Sequence, residues 1–90
     1  MRRISFKEFS TGISYLQSPD EEIQQLGVTL FDLYNIKFHK LYSYFTVNNK
    51  GWVFTITPTE FLMGDSYSHV DLSIEYLYKC ITGNWEWQEE

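Results

Sequence analysis

Apolar residues recur along this chain first at helical spacing and then at strand spacing. Phe6, Phe9, Ile13 and Leu16 follow one another at three- and four-residue intervals, which places them on one face of a helix. Ser5 and Glu8 precede and overlap that run as a capping box, the hydroxyl accepting from the third-residue amide. The spacing predicts a helix over about 6–17, weakened near its middle by Gly12, which costs about 1 kcal/mol relative to alanine. Ser18, Pro19, Asp20 and Glu21 then read as an N-cap, a proline preset for a first helical turn and acids facing the positive end of the dipole. Ile23, Leu26, Leu30 and Leu33 continue a stripe over about 19–35, either as one helix or as two broken at Gly27 and Val28.

From Lys40 the period falls to two. Leu41, Ser43, Phe45 and Val47 alternate with Tyr42, Tyr44 and Thr46, and Trp52, Phe54 and Ile56 alternate with Val53, Thr55 and Thr57. Alternation of this kind marks strands. A β-hairpin is expected over about 40–47 and 52–57, joined by a four-residue turn at Asn48, Asn49, Lys50 and Gly51. Thr57, Pro58, Thr59 and Glu60 repeat the cap, proline and acid pattern, which suggests a short helical turn carrying Phe61, Leu62 and Met63. Ser68 and Asp71 open a last helix expected over about 69–82, with Val70, Ile74, Leu77, Tyr78 and Ile81 on one face and Gly83 ending it. Trp85 to Trp87 is the candidate for a third strand, because an isolated hairpin is marginal in water. The expected fold is a single α+β domain over residues 1–90, with the helices packed on one face of a small antiparallel sheet.

Composition sharpens this picture. Aromatic side chains make up 19% of the 90 residues, enough to build a core in a chain too short to bury most of its surface otherwise. The net charge of -5 is unevenly placed. Residues 1–45 balance five basic against five acidic side chains, whereas residues 46–90 carry two against seven. Such a field repels nucleic acid phosphates and steers a basic partner inward. The single Cys80 cannot form an internal disulfide, the amino end lacks the apolar run of a signal peptide, and no apolar stretch approaches the ~20 residues of a membrane span. A cytoplasmic location is the expectation.

No catalytic, metal or cofactor signature emerges. With His69 and Cys80 both on the last helix, they would stand about 16 Å apart, too far for a thiolate–imidazole pair. The two histidines and one cysteine have no close ligand spacing, and Glu60, Asp65 and Asp71 lack the alternating acids and central glycine of an EF-hand. Two carboxylates flanking a sugar would need a cleft that 90 residues scarcely provide. Catalytic residues, metal and cofactors are therefore all expected to be none.

Two binding readings remain. Residues 23–36 resemble part of a helix-turn-helix, with Leu26, Gly27, Val28 and Thr29 as its turn and Leu33 and Ile36 as apolar positions of its second helix. Ile23 is bulky where that motif usually has a small residue, and the second helix offers Asp32 and no arginine. The resemblance implies a DNA-binding regulator using about residues 19–40, with Lys37, Lys40, Arg2 and Arg3 as its cations. The favoured expectation is instead a small acidic inhibitor that neutralises a basic toxin or nuclease, with Glu60, Asp65, Tyr67, Asp71, Glu75, Trp85, Glu86, Trp87 and Glu89 as the partner-binding residues. Bacterial immunity proteins and phage anti-defence proteins are similar to it in size, charge and aromatic content. A third expectation is a homo-oligomeric structural or accessory protein, a homodimer closed by the aromatic tail.

Overall fold

The computed structural model describes residues 3–49, 51–64 and 69–82, with the backbone alone over 69–71. Three helices, α1 (Phe6–Leu16), α2 (Glu21–Asp32) and α3 (Ile74–Thr82), accompany five strands: β1 (His39–Leu41), β2 (Tyr44–Asn49), β3 (Trp52–Ile56), β4 (Phe61–Gly64) and β5 (His69–Asp71). The strands form one antiparallel sheet in sequence order. The α+β class follows from the two periods. The core lies where alternate strand residues Phe45, Val47, Phe54, Ile56 and Met63 meet Phe9, Ile13, Leu16, Phe31 and Leu77 of the helices. Phe9, Phe31 and Phe54 are completely buried, each contributing roughly 1.5–3 kcal/mol by removal from water. Phe9 stands edge-on to Phe31 at 5.5 Å and to Tyr78 at 5.2 Å between ring centroids, the arrangement that ring quadrupoles favour.

Local sequence explains most boundaries, and tertiary pairing shifts several. Ser5 caps α1 as expected, its hydroxyl accepting from the Glu8 amide at 3.1 Å. The cap of α2 is Asp20 and not Ser18: the Asp20 carboxylate accepts from the Glu22 amide at 2.9 Å, while Ser18 Oγ accepts from the Asp20 amide and holds the turn before it. Pro19 consequently precedes the helix. Helix α2 then runs unbroken through Gly27 to Asp32. The turn expected at Leu26 to Thr29 does not form, so the helix-turn-helix resemblance has no structural counterpart over these residues. A glycine costs a helix about 1 kcal/mol, which packing easily outweighs.

The first strand of the expected hairpin is two strands. Leu41 pairs with Tyr44, leaving Tyr42 and Ser43 as a two-residue loop, with Tyr42 at a φ of 57°. Asn48 pairs with Val53 and Asn49 with Trp52, so two residues of the expected four-residue turn belong to the ladder; Gly51 takes a φ of 86°. After β3, the Thr57 cap is genuine but opens a turn and not a helix. Its hydroxyl accepts from the Thr59 and Glu60 amides at 3.2 and 2.9 Å, and its own amide donates to Glu60 O at 2.9 Å. Phe61–Gly64 then pair with β3, because only four residues separate this turn from the next connection and the sheet supplies their backbone partners. Residues 69–71 pair with β4 instead of opening α3. The helix starts one cap later, where Ser73 Oγ accepts from the Tyr76 amide at 3.2 Å and Ser73 O accepts from the Leu77 amide. Val70 thereby faces Met63 in the register, and leaves the α3 stripe. The expected third strand at Trp85 to Trp87 lies outside the described residues; β1, β4 and β5 accompany the hairpin instead.

Candidate functional site

Antiparallel succession sends the connections alternately to two ends of the molecule. One end gathers the α1–α2 connection, the Tyr42–Ser43 loop, the Thr57–Glu60 turn and the β5–α3 connection. Three contacts hold them together. Gln17 Nε2 donates to Thr57 O at 2.9 Å, Leu72 N donates to Phe61 O at 2.9 Å, and Lys40 of β1 lies 3.7 Å from the Glu21 carboxylate while donating to Gln24 Oε1 at 2.8 Å. The acids of these segments therefore share one end. Asp20, Glu21, Glu22, Glu60 and Glu75 are all exposed, and the Asp71 backbone ends β5 just before the β5–α3 connection. At the opposite end, Arg3 and Lys7 stand beside the exit of α2, where Lys37 pairs with Asp32. Among the described residues the charge distribution is thus polar along the molecule.

The acidic end also carries the most exposed aromatic among the described residues. Tyr42 is 90% exposed, with its ring 6.5 Å from that of Tyr44 and with Leu41 exposed beside it. Loops of this length normally place Asn, Asp or Gly at positive φ. A tyrosine there costs about 1–2 kcal/mol in backbone strain, and strain retained by a surface side chain points to a use for that side chain.

Of the sequence-predicted partner-binding residues, the structure brings Glu60 and Glu75 to this end and places Asp71 in β5 nearby. Asp65, Tyr67, Trp85, Glu86, Trp87 and Glu89 lie outside the described residues. Sequence reasoning missed Asp20, Glu21 and Glu22, whose capping role accounted for them, and Tyr42, which alternation assigned to a continuous strand. Only the unusual loop geometry reveals it.

Cys80 is buried in the core, and burial pushes its thiol up to about 11. It is protonated at neutral pH, the reverse of what a nucleophilic thiolate needs. His69 sits on β5 rather than on the helix of Cys80. Among the described residues no group of three His, Cys, Asp or Glu side chains is placed to hold a metal, and no helix is long and apolar enough to cross a membrane.

No family model, curated protein or solved structure matches this chain. Its own geometry has to carry the functional reading.

Proposed function

We propose that this protein is a small acidic inhibitor, of the immunity or anti-defence kind, that binds a basic toxin or nuclease in the cytoplasm and neutralises it by covering its active or substrate-binding surface. The observation that carries this reading is Tyr42, an almost fully exposed ring held in a strained loop at the end where Asp20, Glu21, Glu22, Glu60 and Glu75 collect. Exposed carboxylates raise the encounter rate with a cationic surface, and a tyrosine supplies the large, low-entropy contact typical of binding hot spots. The carboxylates stand where a polyanionic substrate of the partner would otherwise lie. Free, protonated Cys80 accords with a reducing compartment.

The test is capture from lysate of the source cells with three tagged forms: the natural chain, Tyr42→Asn, and the triple reversal Glu21→Lys, Glu22→Lys, Glu60→Lys. Recovery of one basic enzyme near one to one, its inhibition by the natural chain, and loss of both in the two variants are expected. Equal recovery by the triple reversal at low salt would overturn the acidic-end reading.

A further inference from the structure

A second surface runs from the acidic end along the outer faces of the first two helices. Helices α1 and α2 form an antiparallel pair, and their outer faces enclose an open groove of about 640 Å³ lined by Lys7, Thr11 and Tyr15 on one side and Leu26, Leu30 and Leu33 on the other. Leu26 is 53% exposed and Leu33 78%. Neither helps the core, and contiguous apolar surface of this kind marks contact sites.

Its charges identify the occupant. At the mouth formed by the start of α1, the Glu8 carboxylate accepts from Tyr34 Oη at 2.8 Å and from Ser5 Oγ. Lys7 is left there with no ion-pair partner among the described residues. Beyond the far end of the lining, one helical turn before Leu26 and on the same helical face, Glu22 is exposed and likewise without an ion-pair partner among the described residues. One unpaired cation and one unpaired anion at opposite ends of an apolar stripe are self-complementary under a twofold axis through its middle. We propose that this face binds a second copy of this chain, α2 lying antiparallel to its counterpart, with Lys7 of each copy meeting Glu22 of the other and Leu26 packing near the other's Leu33.

Such an interface is isologous, so each contact is made twice. Antiparallel α2 helices also oppose their dipoles favourably. The face measures about 18 Å along twelve residues and about 20 Å across two helices, roughly 350 Å² per copy in projection, well below the ~800 Å² of a standard interface. The dimer is accordingly weak, with a Kd in the micromolar range or above, and of the acidic end it engages Glu22 while leaving Asp20, Glu21, Glu60 and Glu75 free for a partner.

Sedimentation velocity on the full chain, from about 5 μM to about 1 mM, reads the mass-action shift directly. The natural chain is expected to pass from monomer to dimer. Leu26→Arg, which sets a cation opposite the second copy's Lys7, and Lys7→Glu, which sets two carboxylates together, should each weaken the dimer tenfold or more. The exchange Lys7→Glu with Glu22→Lys should restore it. All three positions are exposed, and unchanged circular dichroism of the variants separates lost association from lost folding. A chain monomeric throughout that range, or a dimer indifferent to both single substitutions, overturns the proposal, and in the first case the groove belongs to a different protein or to none.

Discussion

Gly12 and Gly27 meet where α1 crosses α2, so closely that a Cβ on Gly27 would stand 3.0 Å from the Gly12 carbonyl oxygen and 3.0 Å from both Leu16 Cδ2 and Tyr15 Cβ. A Cβ on Gly12 would meet the Phe31 ring at 2.7 and 2.8 Å. Phe31 is fully buried and cannot swing away. Alanine at either position gains about 1 kcal/mol of helix propensity, against an overpacking cost of 1–3 kcal/mol. Gly27→Ala and Gly12→Ala should each lower the unfolding free energy by up to about 2 kcal/mol in urea titration. A variant stabilised by the full propensity gain of about 1 kcal/mol would show that the helices do not cross at these residues.

Tyr42 separates stability from function. Asparagine tolerates the left-handed backbone that the tyrosine endures, so Tyr42→Asn should stabilise the fold by about 0.5–1 kcal/mol while weakening partner binding at least tenfold. Thermal unfolding and a binding titration read the two effects independently. A destabilised variant would mean that the ring supports the fold and that its exposure carries no functional message.

The Cys80 thiol gives stability a signature at high pH. Its folded pKa, about 11, lies above the ordinary value of 9.0, so the unfolded state loses the proton first. Stability from this group is fully present below pH 9 and declines as pH rises through 11, by about 3 kcal/mol in all. Unfolding free energies of the natural chain and Cys80→Ala, compared at intervals across that window, should converge by about that amount. A thiol reagent at pH 8 should label the native protein no faster than it unfolds.

Gln17 pins the acidic end. Removing its amide leaves Thr57 O without the 2.9 Å bond it receives, so Gln17→Ala should cost about 1 kcal/mol. Because this bond joins the α1–α2 connection to the turn bearing Glu60, hydrogen exchange of the Thr59 and Glu60 amides should accelerate in the variant. Unchanged protection there would show that the turn holds its place through Thr57 alone.

Helices were legible where side chain and backbone cooperate within a few residues. Ser5 capping Glu8 and the Phe9, Ile13, Leu16 stripe required nothing beyond local chemistry. Alternation likewise announced β2 and β3, because residues two apart must share a face of the sheet. The Thr57 cap was read correctly as a hydrogen-bonding pattern and wrongly as a helix start: hydroxyl-to-amide bonds over two or three residues open helices and turns alike. What distinguishes them is whether the following backbone finds partners four residues back or on a neighbouring strand, and for Phe61–Gly64 that neighbour is β3.

Sequence alone therefore determined the α+β class, the core residues of α1, β2 and β3 and the acidic balance, since these depend on periodicity and composition, whereas the stripe expected on α2 leaves Leu26 and Leu33 exposed and the core takes Phe31 instead. Only the tertiary structure decided that Gly27 lies inside one helix, that Tyr42 breaks a strand, and that Asp20, Glu60 and Glu75, from three separate stretches of chain, share an end. Each of those outcomes depends on contacts between residues far apart in the chain: a helix crossing tight enough to need glycine, a register that leaves two residues for a loop, and strands that carry successive connections back to the same side.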